Sequence, residues 1–106
     1  MGIGAIPAVR NLMQKTGMSV NDFDVIESNE AFAAQALAVN QELGLDATRV
    51  NPNGGAIALG HPVGATGAII ATKCIYELQR TSGQYGLVTM CIGGGQGIAL
   101  VLENVN

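Results

Sequence analysis

Positive charge is scarce in this sequence. Five Lys and Arg stand against eight Asp and Glu in 106 residues, a formal net charge of −3. Nucleic acid binding needs a basic face and aromatic platforms. Aromatics are 4% with no Trp, so nucleic acid is not expected as a partner. The same shortage leaves a polyanionic ligand few cationic contacts within this chain. Cysteines number two, Cys74 and Cys91, too few for a disulfide framework and without metal-ligand spacing, so no metal site is expected. Free thiols suit a reducing compartment, and no charged segment followed by an apolar run opens the sequence. A cytoplasmic location is the expectation. Glycine interrupts every apolar run long enough to span a membrane, so no membrane span is expected either. Charged residues of both signs are only 12% against 48% hydrophobic, about half the usual charged share. A surface so apolar implies burial against a partner or a place within something larger. The start, MGIGAIPA, is abrupt, as if the chain opened in the middle of a domain.

What is present centres on Asn53–Gly67, NGGAIALGHPVGATG, which contains the only histidine, His61. Histidine exchanges protons near neutral pH, and glycines let backbone approach a ligand closely. The loop reads as a site, although a lone His among glycines can also be a turn residue. Pro62 biases His61 toward an extended backbone and so helps fix the direction of the imidazole.

The remaining pattern is that of one α/β domain. Pro7 suits a first helical turn, and Ile6, Val9, Leu12 and Met13 form a helical stripe that Gly17 stops. Ser19 with Asp22 reads as a capped turn. Phe23–Ser28 is an expected strand. Glu30–Leu43 is an alanine-rich helix closed by Gly44, expected to be central because alanine permits close approach. Val50 starts a short extended piece. A third helix is expected from Gly64 or Ala65 to Arg80, with Ile69, Ile70, Cys74, Ile75 and Leu78 as its apolar positions and Gly83 as its end. Tyr85–Ile92 is a strand, GGGQG a turn, and Ile98–Glu103 a final strand, giving a terminal antiparallel hairpin. Neither strand alternates cleanly, so both are expected to be buried on two faces. The first strand of such a mixed sheet is missing, which would leave an edge or face unfilled.

Three reactive side chains follow strands. Asn29 lies past Phe23–Ser28, His61 past the piece at Val50, and Cys91 near the end of Tyr85–Ile92. Open α/β sheets bind ligands beyond the carboxyl ends of their strands, so the three can converge. A thiol can act as base or nucleophile once nearby donors or positive charge lower its pKa. The glycines at 93–95 can offer N–H groups to an oxyanion. Other readings stand beside these. Cys91 can be a small buried hydrophobe, Asn29 a helix N-cap, and residues 93–97 a plain β-turn. Phe32 can be core or line a pocket. Cys74 falls on the apolar side of a helix and reads as core.

Taken together, NEAFA at Asn29–Ala33, NGGAIALGHPVGATG at Asn53–Gly67 and CIGGGQG at Cys91–Gly97 resemble the C-terminal part of thiolases, and within them the acetyl-CoA acetyltransferases. The opening MGIGAIPA is similar too, so the resemblance covers essentially the whole chain. It implies a thiolase-like C-terminal half-domain, here a single incomplete domain over residues 1–106. It implies roles as well. Cys91 is the general acid or base, and His61 activates the nucleophile and stabilises a thioester enolate through a ring N–H. Asn29 holds the water of that oxyanion hole, and the Gly93 N–H contributes to a second one. Phe32 and Met1 lie near the acyl pocket. The reaction implied is condensation of two acetyl-CoA to acetoacetyl-CoA and its thiolytic reverse, a reaction of fatty acid metabolism. Coenzyme A is then substrate and product, and no resident cofactor is expected.

The resemblance also implies partners: an acyl-CoA, the N-terminal domain with the nucleophilic cysteine, and further subunits in a homo-oligomer. Cys74 cannot replace that nucleophile, because it lies in a helix interior outside the motifs. The chain alone is expected to be inactive. Two competing readings are a non-catalytic thiolase remnant used for assembly, and an unrelated cysteine hydrolase built on Cys, His and Asn. Against the hydrolase, Cys91 closes a strand instead of opening a helix.

Overall fold

Burial of two separate apolar stripes against one sheet determines the architecture. The structure, a computed structural model, describes residues 2–105. Its elements run α1 (Ala5–Thr16), a single 3₁₀ turn (Val20–Asp22), β1 (Val25–Ser28), α2 (Ala33–Leu43), α3 (Ala56–Leu59), α4 (Thr66–Thr81), β2 (Tyr85–Ile92) and β3 (Gln96–Glu103). The sheet order is β1-β2-β3, with β1 and β2 parallel and β2 and β3 antiparallel. Val50 adds an isolated parallel bridge to Ile26 on the outer edge of β1. On one face lie α1 and α2, with Ile6, Val9, Phe23, Ile26, Val39 and Leu87 in the core. On the other lies α4, packing Ile70, Cys74 and Leu78 against Val25 and Val88. Each such large apolar side chain contributes about 1.5–3 kcal/mol when fully buried. The result is a three-layer α/β/α arrangement with a mixed sheet and a terminal hairpin, as the sequence implies. Among the described residues, no helix is long and apolar enough to cross a membrane.

The first helix follows its sequence closely. Pro7 occupies the first turn, where its missing N–H is not needed. Gly17 takes the left-handed conformation at φ 72° and donates to Met13 O at 2.8 Å, the expected glycine stop. The start of α1 sits hard against the start of β3. A methyl on Gly4 would overlap the Gln96 carbonyl, and a methyl on Gly97 would overlap the Gly4 carbonyl.

Elsewhere the structure departs from the pattern. Helix α2 begins at Ala33, not Glu30, because Phe32 is extended (φ −143°, ψ 146°) and Gln35 ties back ahead of the helix, accepting from the Phe32 N–H at 3.4 Å and donating to Asn29 O at 3.5 Å. Helix α2 is also peripheral, burying only Gln35, Val39 and Leu43. Within the glycine loop a short helix forms at Ala56–Leu59. The residue ending α4 in the left-handed region is Ser82, φ 55°, while Gly83 serves space instead: a Cβ there would lie 3.1 Å from both Asp24 Cβ and a Leu78 methyl. On α4, Ile69 and Ile75 are exposed together with Tyr76. Strand β3 starts two residues early and is not buried on both faces. As an edge strand its side chains alternate, leaving Ile98 and Leu100 exposed.

Candidate active site

The carboxyl ends of the parallel strands β1 and β2 bring the reactive groups together. Ser28 pairs with Thr89, and the Asn29 N–H donates to Thr89 O at 3.0 Å. Asn29 therefore stands one residue beyond β1, and Cys91 two residues beyond the Thr89 level on β2. His61 reaches the same place from the loop between α3 and α4. Its Nε2 lies 3.5 Å from Asn29 Nδ2 and its Nδ1 lies 2.6 Å from Thr66 Oγ1. Asn29 is thus not a helix cap. It is 2% exposed and turned toward the imidazole.

His61, Cys91 and Gly93 line one cavity of about 540 Å³ whose remaining wall is mostly apolar, including Ala31, Val63, Met90 and Ile98. Gly94 and Gly95 have φ of 81° and 79°, which explains glycine at both. Gly93 has no positive φ, and a Cβ there would meet nothing within 4 Å. Its missing side chain therefore leaves room beside Cys91. Phe32 does not line this cavity and is 60% exposed. Met1 lies outside the described residues. A second cavity of about 560 Å³ is polar, lined by Asp24, Arg49, Glu77 and Arg80 among others. Its cations are already engaged: Arg80 with Glu77 at 2.7 Å, and Arg49 with the carbonyls of Asn21 and Phe23 at 3.1 Å. It offers little to a ligand.

Several residues hold the glycine loop against β1. The Asn51 side chain accepts from the Ser28 N–H at 2.9 Å and donates to Ser28 O at 2.8 Å, in the manner of a neighbouring strand. The Glu30 carboxylate accepts from the Ile57 N–H at 3.2 Å, and a methyl on Gly55 would overlap it. Lys73 donates to Gly54 O at 2.5 Å and lies 3.3 Å from the buried Glu27 carboxylate. Burial pushes the Glu27 carboxyl upward, opposed by the Lys73 ammonium. None of these four is visible as a partner in sequence, because each contact spans 19 residues or more. Cys74 belongs to the core. Desolvation, with the Glu27 charge adding, pushes its thiol up to about 12, so it is a poor source of thiolate. Among the described residues no cluster of His, Cys, Asp and Glu could hold a metal ion.

An imidazole tied at both nitrogens, a thiol across an apolar cavity from it, and a glycine turn with free space can together move a proton and stabilise an oxyanion. Comparison with known proteins gives the family. The family described as "Thiolase, C-terminal domain" matches residues 1–104. The beta-ketothiolase BktB of Cupriavidus necator is 60% identical over 105 residues, covering 99% of this chain and 27% of that protein. A beta-ketoadipyl-CoA thiolase of Pseudomonas knackmussii is 61% identical over 107 residues, again covering 99% and 27%. The crystal structure of human mitochondrial 3-ketoacyl-CoA thiolase superposes with a TM-score of 0.96 at 48% identity, covering 99% of this chain and 27% of that one. The chain spans about a quarter of the length of the relatives it matches.

Proposed function

The chain belongs to the thiolase family through its C-terminal domain, and from that premise we propose that it supplies one half of an acyl-CoA acyltransferase site. The reaction is Claisen condensation of two acetyl-CoA to acetoacetyl-CoA, with thiolysis as the reverse. The observation that supports this reading is the shared cavity of His61, Cys91 and Gly93.

The residues divide the work as follows. In the loading step the thiol of a cysteine outside this chain gives its proton to His61 and takes the acetyl group of a first acetyl-CoA, and the departing CoA sulfur takes the Cys91 thiol proton, which leaves Cys91 as the thiolate. The Cys91 thiolate then takes a proton from the methyl of a second acetyl-CoA. Negative charge moves to that thioester's oxygen, where the His61 ring N–H and a water held by Asn29 stabilise it. The carbon attacks the acyl-enzyme carbonyl, the developing oxyanion meets the Gly93 N–H, and the first cysteine leaves as thiolate. Two sulfurs are needed because one cannot be esterified and act as a base at once. No Asp, Glu, Lys or Arg lines the cavity, which favours an uncharged acyl group over one ending in a carboxylate.

The test replaces the matching quarter of the Cupriavidus necator relative with this chain and follows thiolysis of acetoacetyl-CoA by loss of enolate absorbance. Expected are turnover, its loss in Cys91→Ala by at least about 100-fold, a weaker rate with 3-oxoadipyl-CoA, and no turnover by the 106-residue chain alone. A folded but inactive chimera would instead support the assembly-module reading.

A further inference from the structure

We infer that Thr66 is a positioning residue that fixes the tautomer of His61, with the Pro62 carbonyl as the last acceptor of the chain. The inference rests on the thiolase reading for its kinetic consequence, but its geometry stands on the described contacts alone.

Thr66 is the first residue of α4 and is 2% exposed. Its Oγ1 touches two groups, His61 Nδ1 at 2.6 Å and Pro62 O at 3.0 Å. A hydroxyl has one proton to give. Pro62 O has only lone pairs, and a Thr66 proton directed there at 3.0 Å leaves Oγ1 to accept from His61 Nδ1–H. The imidazole then has its proton on Nδ1 and its lone pair on Nε2. That matches the other side of the ring, where the donor Asn29 Nδ2 faces Nε2 at 3.5 Å. The opposite tautomer would set Nε2–H against the amide N–H. The donors thus run in one direction, from Asn29 through His61 and Thr66 to Pro62.

The direction matters for the reaction. With its lone pair on Nε2, His61 can accept a thiol proton there: the S–H bond breaks, the Nε2–H bond forms and the sulfur keeps the electron pair. Nδ1–H stays on Thr66, so the ring does not turn as it becomes imidazolium. The new Nε2–H is the donor that a thioester enolate then needs. This is the third-member role that a carboxylate plays in hydrolase triads, filled here by a hydroxyl. Backbone geometry anchors it, since the N–H groups of Ala65 and Thr66 also donate to Pro62 O at 2.8 and 2.9 Å. His-Pro followed by a hydroxyl residue four positions after Pro62 is the sequence signal.

The experiment uses the same full-length chimera with Thr66→Val, which keeps the shape, and Thr66→Ser, which keeps the hydroxyl. Expected for Thr66→Val is a kcat for thiolysis reduced by about 10- to 100-fold, the scale of a lost hydrogen bond to a charged group, with KM for acetoacetyl-CoA changed by less than about threefold. Thr66→Ser restores kcat to within about threefold. ¹⁵N spectra of the wild-type chimera, with His61 assigned by difference from His61→Gln, show protonated Nδ1 and bare Nε2, and Thr66→Val loses that preference. A wild-type spectrum with the proton on Nε2 would overturn the inference, as would a Thr66→Val enzyme with unchanged kcat. If the wild-type chimera is folded but inactive, the thiolase reading fails, and the spectrum alone decides the tautomer.

Discussion

Replacing Lys73 by Met tests whether the pair under α4 is an ion pair enclosed by protein. Glu27 is 1% exposed, and the Lys73 side chain is 20% exposed at 3.3 Å from it. Removing the ammonium leaves a carboxylate with no cation beside it and deletes the donor to Gly54 O. Breaking a buried pair in this way costs about 3–5 kcal/mol, a large part of the about 5–15 kcal/mol that a domain has. The cost depends on pH. Burial already raises the folded Glu27 carboxyl above its ordinary 4.5, and without Lys73 it rises further. The folded chain then keeps a proton that the unfolded chain has lost. Stability is therefore greatest below about pH 4.5 and falls as pH rises, by up to about 1.4 kcal/mol per pH unit until the folded carboxyl ionises. Urea unfolding followed by far-UV circular dichroism, at about pH 5 and about pH 8, should show Lys73→Met losing more at the higher pH. Glu27→Gln combined with Lys73→Met should return to within about 1 kcal/mol of wild type, since a neutral pair has little to desolvate. A single Lys73→Met variant that loses under about 1 kcal/mol, equally at both pH values, would refute the reasoning.

Glu77 works in the other direction. Hydrogen bonds from Arg80 and Asn53 hold its carboxyl down at about 2, so its contribution is present above pH 4.5 and is lost as pH falls from there toward 2. In Glu77→Gln, acid unfolding followed by circular dichroism should show a weaker dependence on pH over that window. Ser82, at φ 55°, pays a conformational penalty that glycine does not, and Ser82→Gly should raise stability by about 0.5–1 kcal/mol, read as a melting shift of a few degrees.

Local chemistry made part of this fold legible. The stripe of α1 with Gly17 and the strand Tyr85–Ile92 form where their sequence puts them, and the hairpin after that strand forms too, with β3 beginning two residues early. Positions decided by distant partners are different. Asn29 followed by Glu30 has the look of a helix start, yet a histidine 32 residues away holds the amide and Ile57 holds the carboxylate. The alanine-rich α2 looks central because alanine permits close packing, but packing needs something opposite, and here Leu37 is 69% exposed. Among the described residues strand β3 has no strand on its far side, and that Ile98 and Leu100 are uncovered there is not legible in the sequence. In the site, the identities of Asn29, His61 and Cys91 were readable as reactive types at strand ends. Thr66 was not, because a hydroxyl in a first helical turn is common, and only the ring nitrogen 2.6 Å away singles it out.

The close approach of Gly4 to the Gln96 carbonyl, and of Gly97 to the Gly4 carbonyl, bears on how the sequence can drift. Cys91 is the register partner of Gly97 across the hairpin, so whatever displaces position 97 displaces the thiol. Neither glycine can acquire even a methyl without separating α1 from β3, and because each methyl would meet backbone, no change of side chain elsewhere relieves it. The two positions thus form a locked pair, 93 residues apart, through which one end of the chain governs the placement of a reactive atom near the other. A library varied at residue 4 should accordingly lose function at the hairpin without touching it.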